Sequence, residues 1–249
     1  MELRDRVVVI TGSSSNIGKA TALKFAEQGA RVVVNSKSNL EGGRQVVEEI
    51  RSKKGKAIYI QADVSEPEEV RRLFRETMEQ FGTVDILINN AGHARTTPFF
   101  EATKEDWLEA FDNNFFGTVL CSQEAARIMQ ERGGGKILNT SSVRGISHAG
   151  RQGLIAYSAA KAAVINFTKT LAKQLAPTIS VNAVAPGFVY VPNYETFPKE
   201  VREGFIKSTP LGRYMEVTEI AEAFLYLSRA DGITGIVLVV DGGFSLKLA

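Results

Sequence analysis

Cysteine occurs once in this chain, as Cys121, and histidine twice, as His93 and His148. A single cysteine excludes a disulfide framework and a cysteine-built metal cage. Two histidines exclude a histidine-rich metal site, so no metal is expected. A Ser-His-Asp triad would have to use one of these two. An excess of either charge is also missing: 30 Lys and Arg stand against 28 Asp and Glu, a net +2. That balance gives no case for nucleic acid or an anionic membrane surface as a partner. The longest apolar runs, such as Ile236 to Val240, have strand length and fall far short of a membrane span. Met1-Glu2-Leu3-Arg4-Asp5-Arg6 leads directly into a strand and does not read as a signal peptide. With the lone cysteine, this predicts a cytoplasmic protein.

What is present is an ordinary globular composition, 44% apolar and 23% charged over 249 residues, enough for one large α/β domain. Short β-branched runs alternate with amphipathic stretches. Strands are expected at Val7–Thr11, Arg31–Asn35, Ala57–Gln61, Ile86–Asn89, Lys136–Thr140, Ser180–Ala185 and Val237–Val240. Helices are expected at Ile17–Gln28, Leu40–Lys54, Glu66–Phe81, Lys104–Arg132, Ala156–Leu175 and Thr218–Ser228. The strands are apolar at successive positions, as when both faces of a parallel sheet are covered. No linker or repeat interrupts residues 1–249, which read as a single domain. Gly187 to Met215 is long for an α/β connection and reads as a lid over a site or as an unrecognised short helix.

Two features carry chemistry. Tyr157 and Lys161 stand four residues apart in Tyr157-Ser158-Ala159-Ala160-Lys161, so on a helix they share one face. A fixed ammonium lowers a phenol's pKa, and the pair can then move a proton to or from an alcohol or carbonyl oxygen. The first strand runs into Thr11-Gly12-Ser13-Ser14-Ser15-Asn16-Ile17-Gly18, a turn of small residues opening a helix. Such a turn lets backbone and helix N-terminus approach a phosphate. The second strand ends Asn35-Ser36-Lys37 with no acidic residue for a ribose hydroxyl. A hydroxyl and a cation there suit a 2′-phosphate, so NADP(H) is expected over NAD(H).

The turn resembles the Thr-Gly-x-x-x-Gly-x-Gly fingerprint of the short-chain dehydrogenase/reductase family, with Asn16 in place of the middle glycine. Asn tolerates positive φ better than most residues. The resemblance extends along the chain: Asp63-Val64, Asn89-Asn90-Ala91-Gly92, Asn114, Ser141-Ser142-Val143-Arg144-Gly145, Pro186-Gly187 and Asp241-Gly242-Gly243 match the family's motifs in order. It implies a doubly wound Rossmann sheet of about seven parallel strands. It implies a catalytic set of Asn114, Ser142, Tyr157 and Lys161. Asn113 competes with Asn114, but the spacing to Gly117 favours the latter. A nicotinamide cofactor would be held by Gly12, Ser14, Ser15, Asn16, Ile17, Gly18, Asn35, Ser36 and Lys37, and by Tyr157 and Lys161 of the catalytic set. Beyond these, Asp63 and Val64 would meet the adenine and Asn90, Ala91 and Gly92 the ribose. Pro186, Gly187 and Val189 would flank the nicotinamide, with Val191 where the family often has threonine. The implied activity is reversible reduction of a small carbonyl substrate, with a homotetramer as the assembly. The look is nearest to 3-oxoacyl-thioester reductases. A sugar 1-dehydrogenase or another ketone/alcohol oxidoreductase is the alternative, and a non-catalytic NADP(H)-binding regulator a remote one.

Overall fold

The structure, a computed structural model, describes residues 1–146 and 148–246. Seven strands form one parallel sheet: β1 (Val7–Ile10), β2 (Arg31–Ser36), β3 (Lys56–Gln61), β4 (Ile86–Asn89), β5 (Gly135–Thr140), β6 (Ile179–Pro186) and β7 (Val237–Val240). Their order is β3-β2-β1-β4-β5-β6-β7. The helices between them are α1 (Asn16–Glu27), α2 (Leu40–Ser52), α3 (Pro67–Phe81), α4 (Lys104–Phe111), α5 (Gly117–Glu131), α6 (Ile155–Leu175), α7 (Lys199–Lys207) and α8 (Val217–Arg229).

The unbroken apolar strands have the reason expected of them. Val8 and Ile10 point to a core shared with Phe25 of α1, Ile50 of α2 and Phe224 of α8. Their neighbours Val7 and Val9 point to the opposite core, built with Phe74 of α3, Met129 of α5 and Leu175 of α6. Successive strand side chains face opposite sides, so a strand covered on both faces must be apolar throughout. Burying one such phenylalanine contributes about 1.5–3 kcal/mol.

One helix expectation changes. Lys104–Arg132 is not one helix: α4 gives way to a π-turn at Asp112–Phe116 before α5 begins. Asp, Asn and Phe are weak helix formers, so Asp112-Asn113-Asn114-Phe115-Phe116 resists a wider turn less than its flanks would. The Asn114 amide donates to the Ala110 carbonyl at 3.0 Å and to the His93 carbonyl at 2.9 Å. For residues 187–215 the short-helix alternative is the one the structure contains. They hold a 3₁₀ turn at Pro192–Thr196 and helix α7. Of the α7 side chains only Phe205 is buried, so a single anchor ties this helix to the body.

The strand order reverses direction between β1 and β4, and the crevice at that point opens at the strands' C-terminal ends. There the turn after β1, the ends of β2 and β3, the loops after β4 and β5, and the segment after β6 meet.

Candidate active site

The turn after β1 is held by its neighbours. Asn35, expected to touch the cofactor, is buried and acts as a pin. Its amide donates to the carbonyls of Ile60 and Ala62, while its oxygen accepts the Gly12 N–H at 3.2 Å. Ser13 and Asn35 bond through backbone and hydroxyl alike. Asn90 plays the same part from β4, donating to the carbonyls of Thr11 and Gly12. Gly18 sits where a Cβ would come within 2.3 Å of the Gly12 carbonyl and 2.6 Å of the Asn90 amide. Only glycine lets α1 start so close to its own turn. Ser15 caps α1 without a side-chain hydrogen bond. The helix's first N–H groups are thus unclaimed by a side-chain cap, as an anion site needs.

Asn16 has φ of +48°, so the residue in place of the family's glycine does occupy the left-handed region. Its side chain is exposed. Asn16→Gly should leave NADPH binding unchanged or slightly tighter, because the backbone already supplies the donors. A fluorescence titration giving a dissociation constant more than about three-fold weaker would assign Asn16 a hydrogen bond to the phosphate instead.

At the other end of the same cleft stand Ser142, Tyr157 and Lys161. A single cleft of about 1090 Å³ runs from Ser36, Lys37 and Asp63, past Ser14–Gly18 and Asn90–Gly92, to these three residues and to Pro186, Gly187 and Val189. Its length and its chain of small-residue turns fit a dinucleotide. Ser142 lies at the end of β5, where its hydroxyl accepts the Arg144 N–H at 3.1 Å and starts a one-turn 3₁₀ helix, Val143–Gly145. That leaves the hydroxyl's own proton to donate. Tyr157 and Lys161 both lie on α6, with the lysine Nζ 5.8 Å from the tyrosine ring centre. Lys161 is 4% exposed, and its Nζ donates to the Thr140 carbonyl at 2.9 Å. Burial pushes its pKa down to about 8. The Asn114 oxygen is buried without a protein partner. A Cβ on Gly92 would come 2.6 Å from that oxygen and 3.4 Å from Lys161 Nζ, so this glycine keeps the space between them clear.

Three expectations are revised. The Tyr157 pKa is raised, not lowered: burial dominates, and the nearby Ser142 hydroxyl and Arg144 charge pull it only part of the way back. The Ser36 hydroxyl donates to the Asn39 carbonyl and receives the Tyr59 hydroxyl proton, so it is not available to a phosphate. Lys37 meets Asp63 at 2.5 Å, which holds the lysine pKa up and the carboxylate down. Val64 packs on Gly117 at the close of the π-turn. Val189 sits opposite Met215 in an isolated bridge made by the Phe188 carbonyl and the Tyr190 N–H, leaving its own N–H outside that pairing. His93 lines the cleft, whereas the His148 ring meets the Ser245 carbonyl at 2.5 Å.

A profile for the family described as enoyl-(acyl carrier protein) reductase matches residues 12–245. The 3-oxoacyl-[acyl-carrier-protein] reductase of Synechocystis is 41% identical over 97% of both chains. The chain belongs to the short-chain dehydrogenase/reductase family. The reductase of the same name from Thermotoga maritima is 38% identical, covering 98% of this chain and 99% of its own. The crystal structure of acetoin dehydrogenase from Enterobacter cloacae superposes with a TM-score of 0.89 at 37% identity, over 98% and 96% of the two chains. As a short-chain dehydrogenase/reductase, the protein is an oxidoreductase that acts on CH–OH or carbonyl groups with a nicotinamide cofactor. Among the described residues no helix of this short-chain dehydrogenase/reductase is long and apolar enough to cross a membrane.

Site residues that the sequence did not expose are mostly structural pins. Asn89 donates to Asn139 and Ser122, and Asn139 donates to Thr168, a buried polar chain linking β4, β5, α5 and α6. Arg95, in the loop after β4, pairs with Asp106 at 3.2 Å and with Glu109. Such partners lie far apart in sequence and leave no local pattern.

Proposed function

We propose that this protein is an NADP(H)-dependent reductase of 3-oxoacyl thioesters, with Tyr157 as general acid. The observation that carries the reading is that Ser142, Tyr157 and Lys161 line one end of a cleft whose far end is lined by Lys37, with Asp63 paired to that lysine. Names of relatives at about 40% identity support the thioester. The acetoin dehydrogenase likeness favours a small hydroxyketone as the second reading. Sugar 1-dehydrogenase chemistry has no comparable observation behind it. Against a non-catalytic regulator stands the intact Tyr157–Lys161 pair.

The bound nicotinamide would supply hydride to the carbonyl carbon, or accept it in reverse. Tyr157 would donate its proton to the carbonyl oxygen, and its raised pKa keeps it protonated at neutral pH. Ser142 would hold that oxygen with the proton its hydroxyl has free. Lys161, cationic below about pH 8, would bind the ribose and return a proton to Tyr157. The unpartnered Asn114 oxygen would hold water for that return path. Gly12, Ser14–Gly18 and Asn90–Gly92 would hold the phosphates and ribose, with Asp63 and Val64 at the adenine. Residues 187–215 would form one wall of the substrate pocket, through Val189, Val191 and Tyr194. A homotetramer is part of the proposal, supported by exposed Leu108 on α4, Phe116 in the π-turn and Ile155 on α6.

The test is turnover, followed by NADPH absorbance, of acetoacetyl thioesters against acetoin-type ketones and aldoses. No turnover of any carbonyl by protein that binds NADPH would overturn the reading. Cofactor choice is tested alongside. Because Ser36 is committed elsewhere, the weight falls on Lys37. KM should be lower for NADPH than for NADH, and Lys37→Gln should erase the difference. A charge-assisted phosphate contact contributes about 1.5–3 kcal/mol, roughly ten- to hundred-fold. A parent enzyme that prefers NADH would refute the assignment of Lys37.

A further inference from the structure

Arg144 stands two residues after Ser142, on the same one-turn helix, and its N–H holds the Ser142 hydroxyl. Whatever orients the serine therefore orients this arginine. Its guanidinium lies 5.1 Å from the ring centre of Phe188 and 4.8 Å from that of Phe244. Phe188 follows directly on Pro186-Gly187 and stacks on Phe205 at 4.4 Å. Over Phe205, at 5.4 Å, lies a second guanidinium, Arg151. Tyr194, 5.7 Å from Phe205, joins this aromatic wall to the cleft that holds Ser142 and Tyr157.

The charge on this wall is unmatched. Among the described residues, the other half-buried arginines, Arg31, Arg72 and Arg202, each meet a carboxylate. Arg144 meets none. Among the described residues its one side-chain hydrogen bond goes to the Ala149 carbonyl, at 3.0 Å. Burial and the like charge of Arg151 both work against its protonated form. A half-buried cation beside a second cation is costly unless an anion arrives. Aromatic faces hold a guanidinium flat and still leave its edge donors free for a carboxylate. A neutral acyl chain would make no use of them.

We propose that Arg144, aided by Arg151, recognises a carboxylate on the substrate, so that the preferred substrates are carbonyl compounds that also carry an acid group. This rests on the carbonyl-reductase reading of Ser142 and Tyr157 and narrows it. The acid can stand on a free oxo acid or at the far end of an acyl thioester. The shared chemistry is a ketone with a carboxylate within reach of the guanidinium edge.

The experiment compares matched pairs with NADPH: free 2-, 3- and 5-oxo acids against their methyl esters, and an ω-carboxy 3-oxoacyl thioester against its methyl-ended counterpart. At least one acid should exceed its neutral partner in kcat/KM by roughly ten-fold or more, the scale of a charge-assisted contact. Arg144→Gln should collapse that ratio mainly through KM for the acid, and Arg144→Lys should restore part of it. NADPH titration checks that each variant is folded. Should Arg144→Gln not fold, exposed Arg151→Gln should lower the same ratio by a smaller factor. Neutral partners that match or beat the acids in every pair overturn the inference, as does a Gln variant that lowers both members alike. In either case turnover of neutral ketones that disappears in Tyr157→Phe leaves the reductase reading standing. Absence of turnover for acids, esters and thioesters alike would instead remove the reductase reading itself.

Discussion

Tyr157→Phe should bind NADPH as the parent does and lose roughly 10²–10⁴-fold in turnover. The phenyl ring keeps the tyrosine's place on α6, so the fold and the cleft survive. On the proposed mechanism, what goes is the proton handed to the carbonyl oxygen. Ser142 cannot replace it, because a serine hydroxyl that gives up its proton leaves an alkoxide far too basic to form at neutral pH. Steady-state rates and a fluorescence titration on the same preparation decide the matter. Turnover within a few-fold of the parent, with cofactor binding intact, would remove Tyr157 from the mechanism.

Lys161→Met should abolish most activity and at the same time make the protein more stable at neutral pH. The lysine is almost fully buried with a carbonyl, not a carboxylate, as its partner. Its pKa falls from 10.5 to about 8 for that reason. The folded value lies below the unfolded one, so between about 8 and 10.5 the unfolded chain holds more protons. Stability therefore rises with pH across that window, and below it the parent carries the full cost of the buried charge. Methionine fills similar space without the charge. The gain at pH 7 should be roughly 2–3 kcal/mol after the lost hydrogen bond to Thr140 is allowed for. It should shrink as pH climbs through the window. Denaturant midpoints at two pH values measure it. A variant less stable than the parent at pH 7 would show that Lys161 is held by more than its geometry reveals. Activity and stability pull in opposite directions here, as they do where a site is kept under strain.

The parts legible in the sequence are those with a local signature. All seven strands could be read because burial on both faces writes itself as an unbroken apolar run. Tyr157 and Lys161 could be placed together because one helix carries both. Asn16 could be read as fit for a left-handed turn because asparagine tolerates positive φ better than most residues. The errors share a different origin. The π-turn costs one backbone hydrogen bond, and no periodicity marks it. The Ser36 hydroxyl seemed free because Asn39 and Tyr59, which claim it, reach it through the fold of β2 and β3. The sign of the Tyr157 shift was misjudged for the same reason. Spacing reveals a neighbouring lysine, but it cannot reveal how much water the fold removes from both.

The π-turn at Asp112–Phe116 makes chain length itself a functional variable. Five residues share a turn that an α-helix would fill with fewer, so the segment from Lys104 to Glu131 carries, in effect, one inserted residue. Each residue of an α-helix advances the face by about 100°. Taking one residue out of the turn would let α4 and α5 fuse into a continuous rod and would swing Asn114 off the Gly92 side. Apolar composition, charge and every other motif would be untouched. A homologue one residue shorter at this point can therefore keep the fold and yet lose the Asn114 position that the proposed proton return uses. Gaps in an alignment would report that loss where substitutions would not.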